Sequence, residues 1–125
     1  MGVTIDFSSK LNVICVKAAG ELNNEKVALI MERTLKVIGK YKCKKVFCDF
    51  SNTKVTASSL EIYESPILFD LWEVPYIICI SVVYSQDEKS FKFWESRMQK
   101  AGFIARVFTE KGEALKWLTE IKSVR

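Results

Sequence analysis

The chain has no histidine, and proline occurs only twice in its 125 residues. Without imidazole it lacks the side chain most often used as a base near neutral pH and as a nitrogen ligand to metals. Its four cysteines, Cys15, Cys43, Cys48 and Cys79, include no C-x-x-C pair, so neither a zinc motif nor a dithiol redox motif is encoded. Glycine is scarce, with five residues and no glycine-rich phosphate loop. The longest apolar run, YIICISVVY at 76–84, is far too short to cross a bilayer as a helix. The opening MGVTIDFSSK does not read as a secretory signal. Together these absences point away from an enzyme and from any cofactor, and towards a reducing, cytoplasmic setting.

What is present is ordinary for a globular chain: 49% apolar and 27% charged residues. The length suits a single domain over residues 1–125, with a core of its own. A net charge of +4, from 19 basic and 15 acidic residues, is a mild excess. Its densest concentration, Lys36, Lys40, Lys42, Lys44 and Lys45, suits the solvated C-terminal end of a helix. No nucleic-acid partner is expected from so diffuse a surplus.

Apolar periodicity switches between two and 3.6 along the chain. Val3, Ile5 and Phe7 alternate, SSKLN reads as a hairpin turn into 13–17, and Gly20 ends the opening β region. Asn23 or Asn24 caps a helix whose apolar face is Val27, Ile30, Met31, Leu35 and Ile38, with Gly39 marking its end. Residues 46–50 form a strand, followed by a polar loop and a helical region from Ser58 to about Trp72. Pro75 closes that region, and 76–84 follows as a strand covered on both faces. Ser85 or Asp87 starts a helix with Phe91, Trp94, Met98 and Ala101 on one stripe. A strand at 104–108 and a helix at 113–122 complete the order β-β-α-β-α-β-α-β-α. This is an α/β fold: a mixed, mostly parallel five-stranded sheet with an opening β-hairpin and about four helices.

Several short patterns carry a family resemblance. The opening hairpin, the strand end Asp49-Phe50-Ser51, a serine pair some ten residues on, and the helix–strand–helix tail resemble the SpoIIAA-like family within the wider group of STAS domains. The ending, with Ile104-Ala105-Arg106-Val107-Phe108 before Glu113-Ala114-Leu115-Lys116-Trp117-Leu118, is similar to that of stand-alone SpoIIAA-like proteins. The resemblance covers nearly the whole chain. It implies a non-catalytic regulator that docks on a protein partner, such as a kinase or anti-sigma-type regulator. In the anti-sigma-factor antagonists a D-S-S-G segment carries the phosphorylated serine. The matching segment here is Ala57-Ser58-Ser59-Leu60, which makes Ser59 the candidate phosphorylation site and Ser58 the second. Ala57 and Leu60 replace the family's aspartate and glycine.

The same serines have a plain structural reading. Ser58-x-x-Glu61 is a capping box, in which the hydroxyl accepts from an orphan amide and the glutamate reaches back. Ser59 then falls in an exposed first turn, where a phosphate would meet the helix dipole and free amides. A nucleophilic serine would need a base; the nearest in sequence is Lys54, on the expected loop and facing solvent. Asp49 reads as a carboxylate that caps the loop. Lys54, Thr56, Ser58 and Ser59 are the candidate partner-binding residues.

Ser65-Pro66 interrupts the 58–72 region, and Ser65 as N-cap with Pro66 at N1 would start a second helix. Tyr63, Ile67, Leu68, Phe69, Leu71 and Trp72 are more apolar side chains than one narrow stripe holds. Core packing is the first account of this surplus; the alternative is that Phe69 and Trp72 line a groove or form a partner surface. Phe93 falls off the Phe91–Trp94–Met98 stripe. With Phe69 and Trp72 it is a candidate wall of a pocket for a small apolar, lipid-like ligand. Three readings therefore stand: a regulatory partner-binding domain, a carrier or sensor of an apolar ligand, and, least favoured, an enzyme. Self-association as a homodimer is open to each.

Overall fold

The structure, a computed structural model, describes residues 2–121; Met1 and residues 122–125 of the expected domain lie outside them. Five strands lie side by side in sequence order: β1 (Val3–Ser8), β2 (Val13–Leu22), β3 (Lys45–Val55), β4 (Cys79–Val83) and β5 (Ile104–Phe108). β1 pairs antiparallel with β2, and every later pairing is parallel. Parallel neighbours require a crossover, and right-handed crossovers that step one way across a sheet leave their helices on one face. That face carries α1 (Asn24–Tyr41), α2 (Ser59–Tyr63), α3 (Ser65–Leu71) and α4 (Glu88–Lys100), above a core that includes Ile14, Val46, Ile80, Phe69 and Met98. α5 (Lys111–Glu120) follows the last strand and covers the other face, where Ala114 and Leu118 meet Val13, Phe47, Cys79 and Val83. The SpoIIAA-like arrangement expected from the element order is the arrangement found, with five helices because the proline divides the 58–72 region.

Four expected boundaries move, each for a local reason. Gly20 does not end β2; with φ +91° it lies just past a register shift between Lys17 and Ala19, so it serves a bulge that lets the strand run on to Leu22. Gly39 does not end α1, which continues to Tyr41. Lys42 takes the left-handed turn instead, with φ 54° and its N–H donating to the Ile38 carbonyl. The expected strand at 76–84 shortens to Cys79–Val83, buried at every position as its composition implied. The helix expected at 113–122 spans Lys111–Glu120, and Lys122 lies outside the described residues.

The largest change is at β3. The polar loop expected after Phe50 is strand as far as Val55. Extended β2 supplies one ladder, pairing Ala19 with Asn52 and Leu22 with Val55. On the opposite side, where β4 has already ended, the turn before α4 takes over. Gln86 Nε2 donates to the Thr53 carbonyl (2.9 Å), the Asp87 carboxylate accepts from the Val55 N–H (2.9 Å), and the Ser85 hydroxyl donates to the Ser51 carbonyl. Every backbone group so paired is relieved of the cost of an unmet hydrogen bond, which outweighs the weak strand preference of Ser-Asn-Thr-Lys. Asp49 is therefore not a loop cap; it accepts from the Ser51 N–H (3.1 Å) and hydroxyl (2.6 Å) within the strand.

α5 gains its place through Leu118, which is fully enclosed between the helix and the sheet. Leu118→Ala is expected to lower unfolding free energy by about 2–5 kcal/mol in urea titration, the range for an aliphatic core truncation that leaves a cavity.

Candidate functional site

Two features of the α1–α4 face stand out, one on its outer surface and one beneath it. Both depend on how residues 58–72 divide. Ser58 opens α2 with the expected capping box: its Oγ accepts from the Glu61 N–H (3.2 Å), and Glu61 Oε1 accepts from the Ser58 N–H (2.8 Å). After one and a half turns the chain restarts as α3. Glu64, rather than Ser65, holds the N-cap position, and Ser65 and Pro66 lie in the first turn. Ile62, Ser65, Pro66 and Phe69 face inward and are buried. The opposite side is left apolar as well: Leu60 is 65% exposed, Tyr63 49%, Ile67 55% and Leu71 71%. Their spacing of three, four and four residues makes one outward row across both helices. Arg97 of α4 braces its middle, with its guanidinium 3.8 Å from the Tyr63 ring centre and its Nε donating to the Tyr63 carbonyl (3.0 Å). Phe93 extends the row sideways, its ring centre 6.5 Å from that of Tyr63.

The surplus of apolar groups in this region is real; Phe69 and Trp72 belong to the core and to the wall of the cavity below, and the outward surplus falls on other residues. Phe69 is buried and Trp72 half-buried; the exposed ones are Leu60, Tyr63, Ile67 and Leu71. The spacing puts these four on one stripe, but which stripe of the segment faces the sheet is set by how both helices pack, with Ile62 and Phe69 turned inward. Lys54, Thr56, Ser58 and Ser59 are all exposed beside the start of the row, although Lys54 projects from a strand and not from a loop. Two of the amides expected to be free for a phosphate at Ser59 are already engaged by the capping box.

Beneath the helices lies a cavity of about 100 Å³. Its wall takes Ile30 and Met31 from α1, Ile80 and Val82 from β4, and Phe69 from α3, with Trp72 following it. Phe93 is not part of this wall. Phe91, Trp94 and Met98 turn inward at spacings of three and four, which swings Phe93 to the surface, and Trp94 takes the place expected for it. One polar group in the wall escaped the sequence reading. Thr34 is 1% exposed, and its Oγ1 has no hydrogen-bond partner among the described residues. The signal was there: Thr34 falls four residues after Ile30, a lone hydroxyl on the apolar stripe of α1.

The cysteine shifts favour the neutral thiol on both faces of the sheet. Burial pushes the Cys48 thiol, which also lines the cavity, up to about 12, with smaller contributions from Cys15 and Asp49. Burial likewise raises Cys15 and Cys79. A thiol kept protonated is a poor nucleophile and a poor metal ligand. Among the described residues no three His, Cys, Asp or Glu side chains gather as a metal site, and no helix is long and apolar enough to cross a membrane.

No family model and no curated protein matches the chain. Solved structures do match its fold. An uncharacterised protein of the DUF3478 family with a SpoIIAA-like fold, from Shewanella loihica PV-4, superposes with a TM-score of 0.62 at 13% identity, covering 94% of this chain and 93% of its own. The anti-sigma factor antagonist SpoIIAA in its unphosphorylated form gives a TM-score of 0.58 at 13% identity, covering 96% of this chain and all of its own. The fold of this chain is SpoIIAA-like.

Two outcomes follow from the buried polar groups. Thr34→Val removes an unpartnered hydroxyl at nearly constant volume, so unfolding free energy should hold or rise by about 1 kcal/mol in urea titration. A fall of more than about 1 kcal/mol would show that the hydroxyl is already satisfied. For the thiols, the raised Cys48 value means that the folded state holds its proton more tightly than the unfolded chain. Its contribution to stability is complete below the ordinary value of 9.0 and is lost as pH climbs towards about 12. Under native conditions at pH 8, peptide mapping after iodoacetamide treatment should find half-buried Cys15 alkylated well before Cys48.

Proposed function

We propose that the chain is a non-catalytic regulatory domain that docks a protein partner through the outer face of α2 and α3. The observation that carries this reading is the continuous row Leu60, Tyr63, Ile67 and Leu71, joined by Phe93. A contiguous exposed apolar surface with a polar rim is characteristic of an interaction site. Large side chains on a rigid framework, with Tyr63 already fixed by Arg97, lose little freedom when covered. Lys54, Thr56, Ser58 and Ser59 form the polar approach at one end of the row. Lys89 and Arg97 stand four residues either side of Phe93, and α2 and α3 carry Glu61, Glu64 and Asp70. A partner that fits presents an apolar ridge with an acidic flank towards α4 and a basic flank towards α3, which would set its orientation.

Ser59 is the switch in this reading. It is exposed and adjoins Leu60, and Glu61 is close by in sequence. A phosphate there would place up to two negative charges at the edge of an apolar contact and next to a carboxylate, opposing docking. The fold shared with SpoIIAA, an anti-sigma factor antagonist, supports a protein-directed role. Free cysteines suit a reducing, cytoplasmic setting, and burial keeps the thiols of Cys15, Cys48 and Cys79 from activation.

The test is chemical cross-linking in cells of the source organism, followed by recovery of the tagged chain. Ile67→Asp and Leu71→Asp should each reduce recovery of the wild-type partner by about tenfold, or ~1.4 kcal/mol, with circular dichroism melts unchanged. Ser59→Asp should weaken recovery, and Ser59→Ala should not. Equal recovery of the same partner by all four variants sinks the docking face. A wild-type dimer in sedimentation that Leu71→Asp converts to monomer would make a second copy the occupant and overturn the hetero-partner reading.

A further inference from the structure

We propose that the cavity enclosed by α1, α3, α4 and the sheet is a binding site for a small uncharged molecule with a hydrocarbon body and one hydroxyl or carbonyl group, held by the Thr34 hydroxyl. Three observations lead there, none of which depends on the docking face.

The first is the chemistry of the wall. It holds no Asp, Glu, Lys or Arg. A charged ligand would leave water with nothing to replace its hydration, whereas an apolar body loses nothing by entry. The ligand is therefore neutral and mainly hydrocarbon.

The second is Thr34. Buried hydroxyls in folded proteins are overwhelmingly hydrogen-bonded, because an unmet one destabilises the fold. In an α-helix a threonine hydroxyl commonly bonds back to a carbonyl of the preceding turn, yet Thr34 Oγ1 has no partner of any kind among the described residues. It sits in the wall among Ile30, Met31 and Val27, where valine would pack equally well. A hydroxyl kept at such a position is explained by a guest that completes its hydrogen bond. As both donor and acceptor it suits an alcohol, a phenol or a carbonyl compound.

The third is size and access. A cavity of about 100 Å³ holds about three waters' share of liquid volume, and is of the same order as the ~150 Å³ apolar cavity known to take up benzene. It is well below the ~300–1,000 Å³ usual for larger ligands, which keeps the occupant at the small end of the apolar ligands expected from the aromatic surplus. Half-buried Asn23, Asn24, Ala57 and Ser90 bring one side of the wall within reach of solvent, beyond the carboxyl ends of β2 and β3. That is where open α/β sheets commonly receive ligands.

Phenol and benzene are the probes, differing by the hydroxyl group alone. In an amide-resolved NMR titration of the full chain, phenol should give saturable shifts at Ile30, Thr34, Ile80 and Val82. Thr34→Val should weaken phenol about 2- to 12-fold, the worth of one neutral hydrogen bond, and leave benzene within about twofold. Thr34→Ser should restore phenol, and Val27→Phe, which fills the space from the half-buried rim, should abolish both. The proposal is overturned if neither probe gives saturable shifts, so that the cavity takes only solvent. It is equally overturned if the shifts map to Leu60 and Leu71 instead, or if Thr34→Val weakens both probes alike.

Discussion

The parallel ladder between β2 and β3 continues past a bulge at Lys17–Ala19 as far as the pair Leu22–Val55, and this extension sets where the neighbouring elements can go. It carries the end of β3 well beyond that of β4, and the exposed edge is met by Ser85, Gln86 and Asp87. Asp87 sits at the N-cap of α4 with φ 64°, a left-handed conformation that its bond to the Val55 N–H helps to hold. One carboxylate thus ties the end of β3 to the start of α4. The positions of α2, which begins four residues after Val55, and of α4, which packs beside it, are coupled through that tie.

Residues 58–72 make two uses of one short segment. A capping box starts it and a proline restarts it, so neither half is long enough to be stable as an isolated helix. Tertiary packing must hold both, through Ile62, Phe69 and the tilted and edge-on contacts of Phe69 with Trp72, Trp94 and Phe103. Those contacts leave the cavity beneath and the row from Leu60 to Leu71 outside. The wall of the one and the support of the other share Ile62, Leu68 and Phe69. A change in how α3 sits would be felt on both sides.

Element order, the alternation of strand and helix, the opening hairpin and the Ser58–Glu61 cap were all legible in the sequence, because each depends on residues within a few positions of one another. Binary pattern and capping are local physics, and a parallel sheet with right-handed crossovers leaves little freedom in assembling them. The same is true of Phe91, Trp94 and Met98, whose spacing alone turns them inward. The misplaced features are of another kind. Ser51–Val55 is polar and became strand only because β2 and the Ser85–Asp87 turn supply partners from far away in sequence. Gly20 and Gly39 look like stops, and each is accommodated by a bulge or by a left-handed Lys42 further on.

The sequence by itself determined an α/β fold with an opening hairpin and no histidine chemistry, since these follow from composition and from short-range periodicity, while the SpoIIAA-like character came from the resemblance of its short patterns. Only the tertiary structure decided which apolar side chains of 58–72 face outward, and that Trp94 instead of Phe93 meets the cavity. It also isolated the Thr34 hydroxyl. Each of these depends on the angle at which one helix crosses another and on the space left between them, and neither quantity is written in a local pattern.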